Sequence, residues 1–294
     1  NLYNDTEYSY ISPNFVSEPG FINRTDIGRI ENFTNYRFHP EGKYVIAWGP
    51  NVMVSRAWDH NGTVIDSRVQ SEFDVYFKQQ TNVGYVFNYA TETLRPVDFA
   101  TLTGNRDYSH YSSGLFANIS RWKKVGFSAK YGWDTRINYV PPNGQAPALA
   151  NGNTAGLSVT WRPDSRLMVD NGYTFSRIRS QADGAALFND HIVRSKWNWQ
   201  FNRELSLRFI AQYDSLLANP YLTSLQPAKK FNVDLLATYL LHPGTAIYVG
   251  YNSNLQNLDP ALRTDASGYL LRTRNGFIND GRQFFVKISY LLRF

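Results

Sequence analysis

The sequence predicts an all-β protein: a transmembrane, antiparallel, up-and-down β-barrel of about 14 strands. Three observations lead to this fold. Apolar and polar residues alternate along many segments, which gives each predicted strand one apolar and one polar face. These segments run about 10 to 15 residues, whereas strands of globular proteins average about 5 to 6. The connections alternate between short turns and longer polar loops, as in outer-membrane barrels.

The composition allows this fold and excludes others. The chain of 294 residues has 20 Tyr, 19 Phe and 7 Trp, yet no apolar run approaches the roughly 20 residues that a membrane helix needs. The absence of cysteine excludes disulfides, thiolate chemistry and cysteine zinc sites. The 30 basic residues are scattered among 24 acidic ones, so the net charge of +6 does not indicate a nucleic-acid partner. No cofactor is predicted.

Thirteen segments show the alternation clearly. In chain order they are residues 24–38, 43–58, 63–78, 82–93, 110–121, 124–136, 154–162, 166–178, 188–200, 203–214, 229–241, 244–254 and 282–294. The chain therefore divides into an N-terminal segment, 1–23, and a barrel, 24–294. A closed barrel of this kind needs an even number of strands. Either 1–23 contains a weak first strand, in which Tyr8 and Tyr10 share a face, or further strands precede residue 1.

The connections between these segments indicate the orientation. Short links lie at 39–42, 79–81, 122–123, 163–165, 201–202 and 242–244, and longer ones at 94–109, 137–153, 179–188, 215–228 and 255–280. Only the short DHNG turn at 59–62 departs from this order. Because outer-membrane barrels have short periplasmic turns, the chain is predicted to lie in a bacterial outer membrane with a periplasmic C-terminus. Outer-membrane lipid and the barrel-assembly machinery are its expected partners.

The alternation also assigns a direction to each side chain. Side chains predicted to face the lumen are Arg68, Glu72, Asp74, Lys130, Asp134, Arg162, Asp170, Arg194, Lys196, Glu204, Arg208, Asp214, Asp234, Lys287 and Arg293. Side chains predicted to face lipid are Phe127, Tyr131, Trp197, Trp199, Leu207, Phe209, Val233, Leu235, Val286, Ile288 and Tyr290. The lumen charges nearly balance, which does not indicate a strongly ion-selective pore. They fit two interpretations, a solvated channel lining or a cross-strand network that rigidifies or plugs the wall.

Three motifs carry a family resemblance: EPGFINRTD at 18–26, WNWQFNRELSLRFIAQYD at 197–214 and DGRQFFVKISYLLRF at 280–294. They resemble the C-terminal part of a family of large outer-membrane proteins that has no assigned function. Its members carry an N-terminal sandwich similar to a family-9 carbohydrate-binding module. The resemblance implies that this chain is the C-terminal portion of a larger barrel, with Phe294 as the outer-membrane assembly signal. It supplies no catalytic residues.

The search for catalytic motifs yields one weak candidate. The five histidines, His39, His60, His110, His191 and His242, include no pair with metal-ligand spacing. Asp190 and His191 are the strongest candidates for catalytic residues. The sequence nevertheless favours the interpretation that His191 is an exposed loop residue and that the chain has no enzymatic activity. Two functions remain open. One is a channel for small polar solutes, with sugars suggested by the resemblance. The other is a non-conducting barrel that anchors a periplasmic domain or a partner complex.

Overall fold

The computed structural model describes residues 1–15, 25–40, 42–242, 244–257 and 276–291, and every regular element in these ranges is a β-strand. The 14 strands are β1 (Leu2–Ile11), β2 (Ile27–Tyr36), β3 (Val45–Trp58), β4 (Val64–Phe77), β5 (Thr81–Leu94), β6 (Arg106–Ile119), β7 (Val125–Asn138), β8 (Ala148–Trp161), β9 (Leu167–Ser180), β10 (Ala186–Gln200), β11 (Leu205–Ala218), β12 (Ala228–His242), β13 (Thr245–Asn257) and β14 (Ile278–Tyr290). They form one sheet whose strand order is the chain order. The all-β class, the strand number and the antiparallel up-and-down topology are therefore confirmed. The described residues include no helix that could cross a membrane.

The N-terminal segment supplies the fourteenth strand. β1 pairs with β2 along its whole length, from Leu2 opposite Tyr36 to Ile11 opposite Ile27. The pairing continues one step further, because the Arg37 amide donates to the Asn1 carbonyl at 2.9 Å. The strand number is thus even without additional strands.

Several strand boundaries differ from the sequence prediction. β6 begins at Arg106 rather than at 110, β8 begins at Ala148 rather than at 154, and β14 ends at Tyr290 rather than at 294. Residues 292–294, which include the predicted lumen residue Arg293 and the predicted assembly signal Phe294, lie outside the described ranges. Residues 148–153 were predicted to be loop because Gly and Asn have low strand propensity. In the structure Gly152 is needed, since a Cβ there would collide with the Asp134 and Arg136 side chains.

The turns are sorted by the end of the strands at which they lie. One end has the links 37–44, 78–80, 120–124, 162–166, 201–204 and 243–244, and the other has 59–63, 95–105, 139–147, 181–185 and 219–227. The predicted contrast in length has three exceptions: the short links 59–63 and 181–185 among the longer ones, and the eight-residue link 37–44 among the short ones. At 181–185, strand residues take up part of the predicted loop. Gln79 and Gln80 both have positive φ, 63° and 53°, in the three-residue turn 78–80 between β4 and β5.

The chain comprises two compact units. Unit 1 contains Asn1–Ala117 and Gly132–Gly152, and unit 2 contains Asn118–Tyr131 and Asn153–Phe294. The hydrophobic core of unit 1 lies at its long loops, where Leu94, Leu102, Tyr108 and Ile137 pack together. The Tyr108 hydroxyl donates to the Pro147 carbonyl at 2.5 Å, which ties this core to the loop 139–147. The loops 95–105 and 139–147 of unit 1 are therefore packed against the strands.

Candidate functional site

In unit 1, the register places polar side chains on one face of the sheet and apolar side chains on the other. Asn51 pairs with Glu72 and Ser55 with Arg68, so these four residues share a face. We call this the charged face. The opposite face, the apolar face, carries exposed large hydrophobic side chains of β4 and β5, namely Val69, Phe73, Val83, Tyr85, Phe87 and Tyr89. Exposed aromatic side chains on strands of this length are typical of a lipid-facing surface.

The centre of the charged face in unit 1 is Asp74. Its side chain is 2% exposed and lies 3.1 Å from the Arg37 guanidinium, which is itself 21% exposed. The same Oδ2 atom accepts hydrogen bonds from the Asn51 amide at 3.1 Å and from the Tyr76 hydroxyl at 3.3 Å. The Arg37 guanidinium also lies 4.4 Å from the centre of the Tyr76 ring. A buried carboxylate needs this many partners because its desolvation is costly.

Glycine at position 84 makes room for this centre. Gly84 faces Asp74 across the β4–β5 ladder. A Cβ at this position would collide with the Asp74 carboxylate and the Phe116 ring. The sequence around Gly84 alternates as an ordinary strand, so only the register reveals that a side chain there would disrupt the Asp74 network.

Two clefts open on the charged face of unit 1, toward opposite ends of the strands. The first, of about 600 Å³, is lined by Arg29, Ser55, Asp66, Arg68, Asn88 and His110 among others. Its wall is ordered by hydrogen bonds from Arg68 to Asn88 at 2.5 Å and to Gln70 at 2.9 Å. The second, of about 620 Å³, lies beside Arg37, Tyr76 and Asn82. Both clefts are large enough for a small polar molecule and offer many hydrogen-bonding groups.

In unit 2, the charged residues again occupy alternate positions. Asp170 is opposite Lys196, and Asp214 is opposite Lys230, so each pair joins neighbouring strands with opposite charges. Asp170 also accepts a hydrogen bond from the Thr160 hydroxyl at 2.7 Å.

The remaining charged strand residues of unit 2 follow the same parity. Asp234 accepts a hydrogen bond from the Asn252 amide. The Lys287 ammonium lies 6.0 Å from the centre of the Tyr248 ring. Arg194 and Arg208 are opposite Gln212 and Leu236, on the face that also holds Asp214 and Asp234. Lys130 lies against Gly156, where a Cβ would collide with the lysine side chain.

The side chains predicted to contact lipid share the other face of unit 2. Trp197 pairs with Phe209, Phe209 with Leu235, and Trp199 with Leu207. Val233 is opposite Ser253, and Val286 and Ile288 are opposite Val249 and Ile247. Exposure is high at the end of the sheet, reaching 58% for Val286, 68% for Ile288 and 66% for Tyr290. Phe127 and Tyr131, on β7, are also exposed.

Two residues of the predicted lumen set lie outside the strands. Arg162 follows β8 directly, and Glu204 is in the link before β11; both are exposed. The predicted strands 154–162 and 203–214 included them because the alternation continues for one or two residues past the last ladder pair. They belong to the turns at the short-turn end of the sheet.

The structure adds residues that the sequence prediction did not single out. Arg37, Asn51 and Tyr76 complete the Asp74 network. Arg136 forms an ion pair with Asp134 on the same strand. The alternation could have placed these four on the charged face, but their partners depend on the register between strands.

The structural environment of the candidate catalytic residues, Asp190 and His191, differs from the one predicted. His191 lies in β10 and is half-buried, not in a loop. Its Nδ1 atom is 2.9 Å from the Tyr173 hydroxyl, and its ring packs 4.9 Å from that of Phe175. Asp190 precedes His191 in the same strand, so the two side chains project from opposite faces of the sheet. In this arrangement Asp190 cannot orient the His191 imidazole as the aspartate of a catalytic triad does.

Comparisons with known proteins yield little likeness. No family model matches the chain, and no curated protein matches it. Among solved structures, the chain is similar to the CymD monoaromatic hydrocarbon channel with 10% sequence identity and a TM-score of 0.30, over 87% of this chain and 82% of that one.

Proposed function

We propose that the chain forms a β-barrel channel in the bacterial outer membrane, with its C-terminus in the periplasm, and that it passes small polar solutes, sugars among them. The observation that carries this proposal is the division of the two faces. Alternate residues of 13- to 15-residue strands form a charged, hydrogen-bonding face, while the residues between them form an exposed apolar face. Closing such a sheet would place the charged face around a lumen and the apolar face against lipid.

The polar groups of the first cleft suit neutral or zwitterionic solutes better than ions of one sign. Arg68, Asp66 and Asn88 around the first cleft offer both donors and acceptors. Sugar hydroxyl groups need both, because each hydroxyl donates one hydrogen bond and accepts others. The proposal assigns no enzymatic activity to the chain. Lipase and protease assays should therefore give the same result for the wild type and for His191→Ala.

Planar-bilayer recording on the purified protein tests conduction. We expect discrete conductance steps and a shift toward cation selectivity in Arg68→Glu, because that change reverses one lining charge. Arg56→Glu is the matched control, since Arg56 lies on the apolar face one ladder position away. Conductance no higher than that of protein-free bilayers would remove the channel proposal. Equal selectivity shifts in both variants would remove the assignment of the faces.

One observation favours a second function, a non-conducting barrel that anchors a periplasmic domain or a partner complex. Several charges pair with each other, as Arg37 does with Asp74 and Arg136 with Asp134. Such pairs stiffen a wall without lining an open path. Liposome swelling separates the two functions, because only the channel admits sugars into proteoliposomes.

A further inference from the structure

The short-turn end of unit 2 carries an unusual concentration of positive charge. Three of its four links, 120–124, 162–166 and 201–204, contain six cationic side chains, Arg121, Lys123, Lys124, Arg162, Arg166 and Arg203, against the two carboxylates of Asp164 and Glu204. All six cations are exposed, and none forms an ion pair with an acidic residue in the part of the chain that the structure describes. Links 181–185 and 219–227 of unit 2 together contain one charged residue, Asp183, whereas the sequence between β13 and β14, 258–277, contains three Arg and two Asp.

Backbone hydrogen bonds hold these three links side by side. The Arg162 amide donates to the Lys124 carbonyl at 2.7 Å, which joins the first link to the second. The Gln200 amide donates to the Arg166 carbonyl at 2.8 Å, which joins the second link to the end of β10 and so to the third. The cations therefore form a continuous row, which we call the basic rim.

Asp164 is held by its own turn and forms no ion pair with the cations of the row in the part of the chain that the structure describes. Its Oδ1 atom accepts hydrogen bonds from the backbone amides of Arg166 at 2.7 Å and Leu167 at 2.9 Å, so it shapes the turn. Arg162, Asp164 and Arg166 line one cleft of about 390 Å³ at the end of the strands. Residues of both faces complete it, with Trp199 from the apolar face and Asn198 and Ser206 from the charged face. The cleft thus offers two guanidinium groups, and a guanidinium binds phosphate oxygens through paired N–H groups.

Aromatic side chains flank every link of the rim. Trp122 lies between Arg121 and Lys123 and is 52% exposed, and Trp161, directly before Arg162, is 45% exposed. At the third link the Trp199 ring stacks on that of Phe201 at 4.6 Å. Trp beside Lys and Arg at the end of an apolar face is the composition of a lipid headgroup contact.

We propose that the basic rim binds the phosphate of an anionic phospholipid, with Arg162 and Arg166 holding the headgroup and Trp199 contacting the first part of the acyl chains. This proposal rests on the membrane location in the proposed function, but not on conduction. It implies that the short-turn end lies at a leaflet that contains phospholipid. The row of cations then orients the chain in the membrane as well as binding individual lipids.

Binding of phosphatidylglycerol and of phosphatidylcholine to the purified full chain in detergent, measured by native mass spectrometry, tests the proposal. We expect preferential retention of phosphatidylglycerol and about 30-fold weaker retention in Arg162→Gln/Arg166→Gln, since each basic residue contributes a factor of about five at an anionic surface and the two factors multiply. Arg179→Gln is the matched control, because Arg179 lies at the other end of β9. It should bind as the wild type does.

Three results would overturn the proposal: equal retention of the two lipids by the wild type, an unchanged preference in the double variant, or an equal loss in Arg179→Gln. Inorganic phosphate added alone should not stabilise the protein, and stabilisation equal to that by the lipid would mean that the rim binds free phosphate instead. If the double variant does not fold, the single variants Arg162→Gln and Arg166→Gln replace it, each with an expected loss of about fivefold. A protein that retains the lipid but conducts nothing would contradict the proposed channel and leave the basic rim standing.

Discussion

At the residue scale, Asp74 shows how much the stability of the charged face depends on one partner. Arg37→Met would leave the Asp74 carboxylate, which is 2% exposed, without its cation. Removing one partner of a buried ion pair typically costs about 3–5 kcal/mol. We expect a loss of this size in the free energy of unfolding, measured by urea titration in lipid vesicles.

Arg29→Met is the control for this substitution. The Arg29–Glu31 pair has side-chain exposures of 44% and 34%, and exposed pairs contribute about 0–1 kcal/mol. A similar loss in Arg29→Met and Arg37→Met would contradict the central role of Asp74.

Asp183 provides a prediction about pH at a turn outside the strands. The Ala185 amide and, to a smaller extent, the Ser180 hydroxyl donate to its carboxylate and hold the pKa of Asp183 below its ordinary value. A lowered folded-state pKa means that the turn 181–185 is stabilised above the ordinary aspartate pKa. This stabilisation is lost as the pH falls through the lowered value. The Ala185 amide should exchange faster with solvent at acidic pH than in the neutral range after correction for intrinsic rates, and Asp183→Asn should abolish the pH dependence. A corrected rate that is the same at both pH values would contradict it.

At the element scale, β14 tests the assignment of the faces. Ile288 shares a face with Ile247 and Val249, whereas Ser289 is opposite Ala246 on the other face. Arginine at a lipid-facing position near the midplane costs about 2–4 kcal/mol. Ile288→Arg should therefore reduce the folded fraction on a heat-modifiability gel, and Ser289→Arg should fold nearly as the wild type does. The reverse ranking would invert both predicted sets of residues.

The strands themselves were predictable from the sequence because the alternation is local. β9 and β12 were placed within two residues of their observed bounds, since each side chain in them reports its own face. β8 was not, because Gly152 and Gly156 are small to accommodate Asp134 and Lys130 of the preceding strand. Local propensity does not contain that information. For the same reason the Asp74 network could not be predicted. Asn51 is 23 residues from Asp74 in the chain, and Arg37 is 37 residues from it.

At the scale of the whole molecule, the two ends of the strands differ in chemistry. In unit 2 three short links hold the basic rim, whereas the links 181–185 and 219–227 at the other end together hold one charged residue, Asp183. In unit 1 the long loops pack into a hydrophobic cluster around Leu94 and Tyr108. A sheet that only needed to be stable would not require such a difference. An asymmetric membrane, with a different environment on each side, gives a physical reason for it.

The orientation that this asymmetry implies can be tested in intact cells, because the chain contains no cysteine. Ser165 lies in the link 162–166 and Ala182 in the link 181–185, at opposite ends of β9. If the short links are periplasmic, a membrane-impermeant maleimide should label Ala182→Cys in intact cells. Ser165→Cys should be labelled only after the outer membrane is permeabilised. Both positions are exposed, so a difference in labelling reports the side of the membrane and not burial. Labelling of Ser165→Cys alone in intact cells would reverse the orientation, and the basic rim would then face the cell exterior.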